Sequence, residues 1–424
     1  MSKLLIYRTA SRIPNLVPNL AFPPRHRMSA PDRMNAAELR ASIGLAGIFG
    51  LRLLGMFIIL PVFALYAEHL PGGDSHTLVG LALGAYGLAQ ALLQVPFGWL
   101  SDHWGRKRAI YLGLVVFALG SLMAAFAHDI YMVILGRIVQ GSGAVSAAVL
   151  ALTADLTRDE QRTKAMAIIG VTIGATFGLS MVAGPVLSRL IGVPGIFALT
   201  AVLAVLALAV VRWVVPDPAA APRAAGGRPG FATVLAHPGL VRLNYGIFVL
   251  HAVLMALFVV VPFSLRNAGL APDQHWQVYL PVMAGSVLLM VPPMIVSERR
   301  GQQKLAFLGA IGVLLVAQVL LALLGPSLTG IALALLVFFA GFNLLEASLP
   351  SLISKTSPPA AKGTAAGVYS SMQFLGTFAG AVAGGFVSQH FGGPAVFLLC
   401  GLLTLSWLLV AWPMQAPAAV SLRT

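Results

Sequence analysis

Twelve apolar runs follow one another along the chain, near positions 44–67, 77–99, 108–127, 131–155, 163–190, 194–215, 240–266, 274–297, 304–324, 328–353, 363–389 and 393–413. A helix of about 20 residues, rising 1.5 Å per residue, crosses a hydrocarbon core of roughly 30 Å; barrel strands would be about 10 residues long and would alternate apolar with polar positions. The runs are long and do not alternate, which predicts an all-α membrane protein with twelve transmembrane helices. The longest internal polar stretch, Pro216 to His237, contains Pro218, Pro222, Gly226, Gly227 and Pro229. It divides the runs six and six, and so predicts two pseudo-symmetric six-helix bundles, at 41–215 and 240–413, joined by a cytoplasmic linker at 216–239. Residues 1–40 read as a basic disordered tail, and 414–424 as a short C-terminal one.

Composition agrees with this pattern. Of 424 residues, 58% are hydrophobic and 9% charged, against roughly 25% charged in soluble domains. The net charge of +14 comes from clusters between apolar runs, at 106–108, 158–164, 299–304 and 355–362, with no single patch or stripe. That distribution fits the positive-inside rule with both termini cytoplasmic, and it argues against nucleic acid as a partner. The single cysteine, Cys400, lies in an apolar run, so neither a disulfide framework nor a multi-cysteine metal site is expected. There is no phosphate-binding Gly-x-x-x-x-Gly-Lys-Ser/Thr run and no clustered nucleophile and base, which argues against an enzyme or an ATP-driven pump.

Two segments carry fixed patterns. The turn after the second run reads Gly98-Trp99-Leu100-Ser101-Asp102-His103-Trp104-Gly105-Arg106-Lys107-Arg108, and the fourth run contains Arg137-x-x-Gln140-Gly141-x-Gly143-Ala144. Residues 297–304 and 354–362 occupy the corresponding turns of the second half, in degenerate form. Over residues 40–413 the chain resembles the major facilitator superfamily, whose loop motif is matched at Gly98, Leu100, Asp102, Gly105, Arg106 and Lys107; His103 stands where a basic residue is usual. Within the superfamily it is most similar to the drug–proton antiporter group, through Leu51–Phe57, Asp155–Arg158, Arg162–Ala167 and Asn343–Ala347. Ser180 and the pair Ser188-Arg189 depart from that group's fifth-span signature. The most similar members carry a soluble domain after the last span, for which the residues beyond 413 leave no room.

The resemblance implies the major facilitator fold and a secondary active transporter working by alternating access, without cofactor or metal, monomeric, in a bacterial cytoplasmic (inner) membrane. It points to proton-coupled export, by antiport, of a small molecule that could be amphipathic. Proton-coupled import or uniport of a small metabolite is the alternative within transport, and a non-transporting membrane sensor the alternative outside it. It further implies that Arg106 pairs with Asp155 while Asp102 faces the start of the eleventh span near Gly363. These contacts would hold the cytoplasmic side closed and break as the halves rock; alternatively, Asp102 and Arg106 only anchor topology.

A charge at the bilayer centre costs roughly 2.5–3.5 kcal/mol on insertion scales, so each one needs a partner or a task. Arg52, Arg137, His251 and Glu346 stand deep in the first, fourth, seventh and tenth runs, with Gln140 and Asn343 as uncharged companions. Glu346 reads as a proton carrier, or as a carboxyl paired with an arginine or bonded locally. His251 reads as a second titrating group or as a neutral core histidine. Arg52 and Arg137 either attract an anionic substrate or compensate Glu346 and helix-end carbonyls. Gln90 and Gln94 either line a cavity or tie helices together, the second being the preferred reading. Gly170, Gly174 and Gly178, at four-residue spacing, read as a static close-packing face, the alternative being a bend at Gly184-Pro185 that flexes during transport.

Overall fold

The computed structural model of the chain describes residues 33–217, 231–324, 327–358 and 361–414. Most of the expected N-terminal tail, residues 218–230 of the expected linker and residues 415–424 lie outside the described residues. The described helices are α1 (Ala36–Phe57), α2 (Leu60–Ala67), α3 (His76–Trp104), α4 (Arg106–Ala125), α5 (Ile130–Ser142), α6 (Ser146–Asp155), α7 (Asp159–Trp213), α8 (Phe231–Leu235), α9 (Pro238–Asn267), α10 (Trp276–Arg299), α11 (Gln303–Leu324), α12 (Leu328–Thr356), α13 (Lys362–Phe391) and α14 (Gly393–Ala411).

Ten helical segments among the described residues are long and apolar enough to cross a membrane. One of them, Glu160–Trp213, has 54 residues, about 80 Å of helix and far more than one crossing requires. It folds back at Gly192, whose φ of 69° is a left-handed conformation that glycine tolerates, with Pro194 just beyond. That bend makes two spans of it. The 30-residue α13 also runs the depth of the bundle between α3 and α9; glycine, serine and glutamine dilute its apolar character. The protein is therefore an all-helical membrane protein with twelve crossings, the first formed by α1 and α2 and the fourth by α5 and α6.

Local sequence explains the ends and breaks. α1 starts at Ala36, inside the expected tail, because Asn35 and Glu38 form a reciprocal capping box, Glu38 N–H to Asn35 Oδ1 at 2.8 Å and Asn35 N–H to Glu38 Oε2 at 2.9 Å. The Arg158 guanidinium donates to Glu38 at 2.8 Å, tying this start to the turn before α7. The first crossing is interrupted before Pro61, at the start of α2, where proline has no N–H to donate. The fourth is broken at Gly143–Val145, with the Gln90 amide donating to Gly141 O at 2.7 Å.

The first six and last six crossings meet along α3 and α13. A Cβ on Gly80 would lie 2.2 Å from Ala381 O, one on Gly84 3.0 Å from Phe378 O, and one on Gly87 2.8 Å from Phe374 O. These backbones touch only because no side chain stands between them. The contact covers the half of α3 that begins at His76. Toward the other end, where the 98–108 turn lies, the same helices part: a Cβ on Gly98 would meet only Ala147 of its own half, and Gly363 and Gly367 face open space. Gly170, Gly174 and Gly178 also face open space, contrary to the close packing expected of them, because they lie on the part of α7 nearest the parted end. Gly184 does pack tightly, with a Cβ position 2.5 Å from Ile58 O, and α7 stays helical through it. The molecule is closed at one end, called here the far end, and open at the motif end.

A tight and an open glycine should respond differently to substitution. On α13, Gly380→Val places a side chain where a Cβ would already lie 2.0 Å from Ala252 O, and is expected to cost about 1–3 kcal/mol by overpacking. Gly174→Leu meets nothing in this conformation and is expected to keep the unfolding midpoint while slowing transport, because the motif end can no longer close. Thermal unfolding of the detergent-solubilised variants, with flux in proteoliposomes, checks both.

Candidate functional site

Four ionisable side chains lie deep in the bundle, as the hydropathy pattern predicts, but they fall into two separate groups. In the second half, Glu346 on α12, His251 on α9 and Gln373 on α13 converge. The Gln373 amide nitrogen lies 2.8 Å from His251 Nε2 and 3.3 Å from Glu346 Oε1, and His251 Nε2 lies 3.9 Å from Glu346 Oε2. With the amide donating to both, Nε2 is an acceptor, so the imidazole is neutral and its proton sits on Nδ1, directed at Ile247 O at 3.3 Å. The Glu346 side chain keeps 27% of its exposure, yet its Oε2 is shut from solvent and makes no hydrogen bond. The Tyr369 hydroxyl, one turn before Gln373, is likewise buried without a partner. No arginine lies within salt-bridge distance of Glu346 among the described residues; its ionisable neighbour is the histidine.

An aromatic cluster closes the site on its far-end side. Phe57 packs edge-on against Phe177 at 5.0 Å between centroids, and Phe177 lies 5.8 Å from both Phe339 and Phe342. Glu346 is one turn beyond Phe342, toward the open end. Asn343 is not a member of the Glu346 group: its amide donates to Ser286 Oγ at 2.9 Å and ties α12 to α10.

The arginines belong to the first half. Arg137, 1% exposed, donates to Gln140 Oε1 at 2.6 Å, reaches Leu83 O at 3.5 Å and lies 4.8 Å over the Tyr86 ring. Gln140 in turn donates to Ser121 Oγ at 2.8 Å. Arg52, 2% exposed, donates to Ser146 Oγ through Nη1.

At the motif end Arg106 bonds Asp155 Oδ2 through Nε at 3.0 Å, and Ser101 Oγ at 3.0 Å and Asp102 through Nη1. Gly105, at φ 108°, makes the reversal between α3 and α4 that brings these groups together. All of them belong to the first six crossings, and all the bonds are formed while the motif end stands open. This corrects the expectation that the Arg106–Asp155 pair breaks when this side opens: both partners sit on one half and move together.

Hydrogen bonds and ion pairs among the described residues join the halves at the far end. Arg266 of α9 grips Glu68, after α2, with Nη2 to Oε1 at 3.0 Å and Nη1 to Oε2 at 2.5 Å, and Arg189 lies 3.4 Å from Asp273. Gln389 Oε1 accepts from Ser75 Oγ, Thr77 N–H and Thr77 Oγ1 at 3.0, 3.0 and 2.7 Å. His76 stacks on Phe263 at 5.2 Å and meets Ser388 Oγ at 2.9 Å. Sequence reading missed both Gln373 and this latch. Gln373 had a signal, being a polar residue deep in a long span like Gln90 and Gln140. The latch residues stand in ordinary loops and helix ends, and only folding brings them together.

The chain matches the family model described as Major Facilitator Superfamily over residues 45–380 and 248–422. It is 45% identical to the Inner membrane transport protein YajR of Escherichia coli (strain K12), over 92% of this chain and 86% of the relative. It is 33% identical to an uncharacterized transporter of Buchnera aphidicola, over 82% of this chain and 90% of the relative. The crystal structure of a D-xylose–proton symporter superposes with a TM-score of 0.69 at 16% identity, covering 90% of this chain and 98% of that one, a likeness of fold.

The far-end latch has a definite pH behaviour. The Arg266 guanidinium holds the Glu68 carboxyl below its ordinary value of 4.5. A depressed carboxyl contributes fully above its ordinary value and loses that contribution only as pH falls through the lowered one. The partly exposed pair is worth about 0.5–1 kcal/mol, a factor of about 2–5 in population. Glu68→Gln is therefore expected to shift the protein toward the far-end-open form by that factor at pH 7, and by the same factor at pH 8, since Glu68 stays ionised at both. Spin-label distances between Asp74→Cys and Phe391→Cys report both.

Proposed function

The chain belongs to the major facilitator superfamily, and on that premise we propose that this multi-pass secondary transporter is a proton-coupled exporter of a small molecule in a bacterial inner membrane, with Glu346 as the proton-carrying group. The observation that carries this reading is the position of Glu346, a lone deep carboxyl at the head of a gap open at one end, with a neutral histidine 3.9 Å away and an amide between them. A carboxyl so placed can load and release a proton as the gap opens to one side and then the other. Export is supported by the resemblance to drug–proton antiporters in Leu51–Phe57, Asp155–Arg158, Arg162–Ala167 and Asn343–Ala347.

The coupling follows from Gln373. Its amide reaches both Glu346 and His251 from α13, the helix that forms the seam with α3. Protonating Glu346 removes an acceptor charge from that amide and changes what holds α13 in place. A proton shifts the balance between the two openings only by its difference in affinity for them, so this link to the seam helix is where that difference arises. The halves, residues 41–215 and 240–413 with the linker 216–239, then rock about the site, with the basic motif end on the cytoplasmic face and both termini inside.

Glu346→Gln fixes the group in its protonated shape. Proteoliposomes under an imposed pH gradient are expected to show gradient-driven flux reduced at least about tenfold, the scale of one general acid–base group or more, while solute exchange without a gradient continues. Undiminished gradient-driven flux in this variant would remove Glu346 from the mechanism. Flux in wild type that ignores the gradient would favour a uniporter.

A further inference from the structure

The deep charges do not balance. Of the chain's 13 acidic residues, Glu346 alone stands well inside an apolar run; the others lie in loops or near run ends. Two arginines, Arg52 and Arg137, stand equally deep, and arginine stays protonated in proteins. Even with Glu346 ionised, one buried cation has no carboxylate in the chain to meet it.

The two arginines are not equally short of partners. Arg137 is held by a glutamine oxygen, a backbone carbonyl and an aromatic face. Arg52 bonds one serine hydroxyl through Nη1, while its Nε and Nη2 are shut from solvent with no acceptor. Those two nitrogens carry the parallel N–H pair that matches a carboxylate or phosphate edge in bidentate fashion. A buried, unmet donor pair on a charged group is costly unless something else fills it.

Its depth places it at the level of the proton site. Arg52 lies five residues from Phe57 along α1, toward the motif end, and Glu346 four residues from Phe342 along the antiparallel α12, also toward the motif end. At 1.5 Å per residue both sit about 6–8 Å below the same aromatic plug, one in each half. We infer that Arg52, oriented by Ser146, is the seat for an anionic group of the transported molecule, a carboxylate or an equivalent oxyanion. This rests on the transporter reading and specifies its substrate class. The competing source of the same chemistry is Glu346 itself, swinging across to Arg52.

The test uses purified full-length protein and a charge series on one ring, 1-naphthoate, 1-naphthamide and 1-naphthylmethylammonium, with octanoate and phenylphosphonate as anions of other shapes. At least one anion is expected to raise the unfolding midpoint of wild type and of Glu346→Gln, while the amide and the ammonium leave it unchanged. Arg52→Gln is expected to weaken the anion effect at least about tenfold, as for loss of one charge-assisted pair, and Arg52→Lys to retain part of it. Without ligand, Arg52→Gln is expected to unfold no earlier than wild type, since it removes an uncompensated charge. The seat is overturned if no anion stabilises, if the amide does so equally, if Arg52→Gln keeps the full effect, or if Arg52→Gln alone is destabilised. Loss of the anion effect in Glu346→Gln would instead make Glu346 the partner. In liposomes, wild type that binds anions but moves no solute would overturn the transporter reading and leave the seat standing.

Discussion

Without water, a bilayer core leaves every polar group to be satisfied by the protein itself, and the rest of this structure follows from that constraint. It fixes helices as the spanning element, confines most charge to the ends, and makes each exception inside costly. The exceptions here are few: Arg52, Arg137, His251 and Glu346, with the amides of Gln90, Gln140 and Gln373 distributed among them. The amides do much of the satisfying. Gln90 serves a carbonyl at the broken fourth crossing, Gln140 holds Arg137, and Gln373 holds Glu346 and His251 together.

The same constraint explains how the halves are joined. Apolar side chains gain little by leaving lipid for one another, so close backbone contact at glycine provides the packing, as along α3 and α13. Among the described residues, directional bonds join the two sides of this seam at the far end, where water returns and ion pairs such as Glu68–Arg266 are cheap to break. A joint with strong packing and weak end bonds can rock without first losing a large interaction energy.

The spans, their number and the motif turn were legible because hydropathy and glycine placement are local properties. The deep ionisable residues were legible for the same reason: a charge in an apolar run stands out wherever the run goes. Which of them meet was not legible. Glu346 and His251 are brought together by α13, whose Gln373 lies 27 residues from one and 122 from the other, and Asn343, one turn from Glu346, turns instead to Ser286. Gly170, Gly174 and Gly178 show a further limit. Their spacing describes a face that can pack, whereas in this structure that face meets nothing.

The motif turn acquires a different meaning from this arrangement. Arg106 binds Asp102, Ser101 and Asp155 while the motif end is parted, so those bonds do not require the closed form. An interaction within one half does not itself oppose the parting of the halves. Its effect is instead to make the ends of α3, α4 and α6 a single rigid piece. Rigidity matters because α3 carries the seam: in the proposed mechanism a proton event at Glu346 would reach α13 through Gln373, and α13 would pass it on only if α3 moved as a unit with its half. A flexible motif end would absorb that displacement locally, and the far-end latch would never feel it.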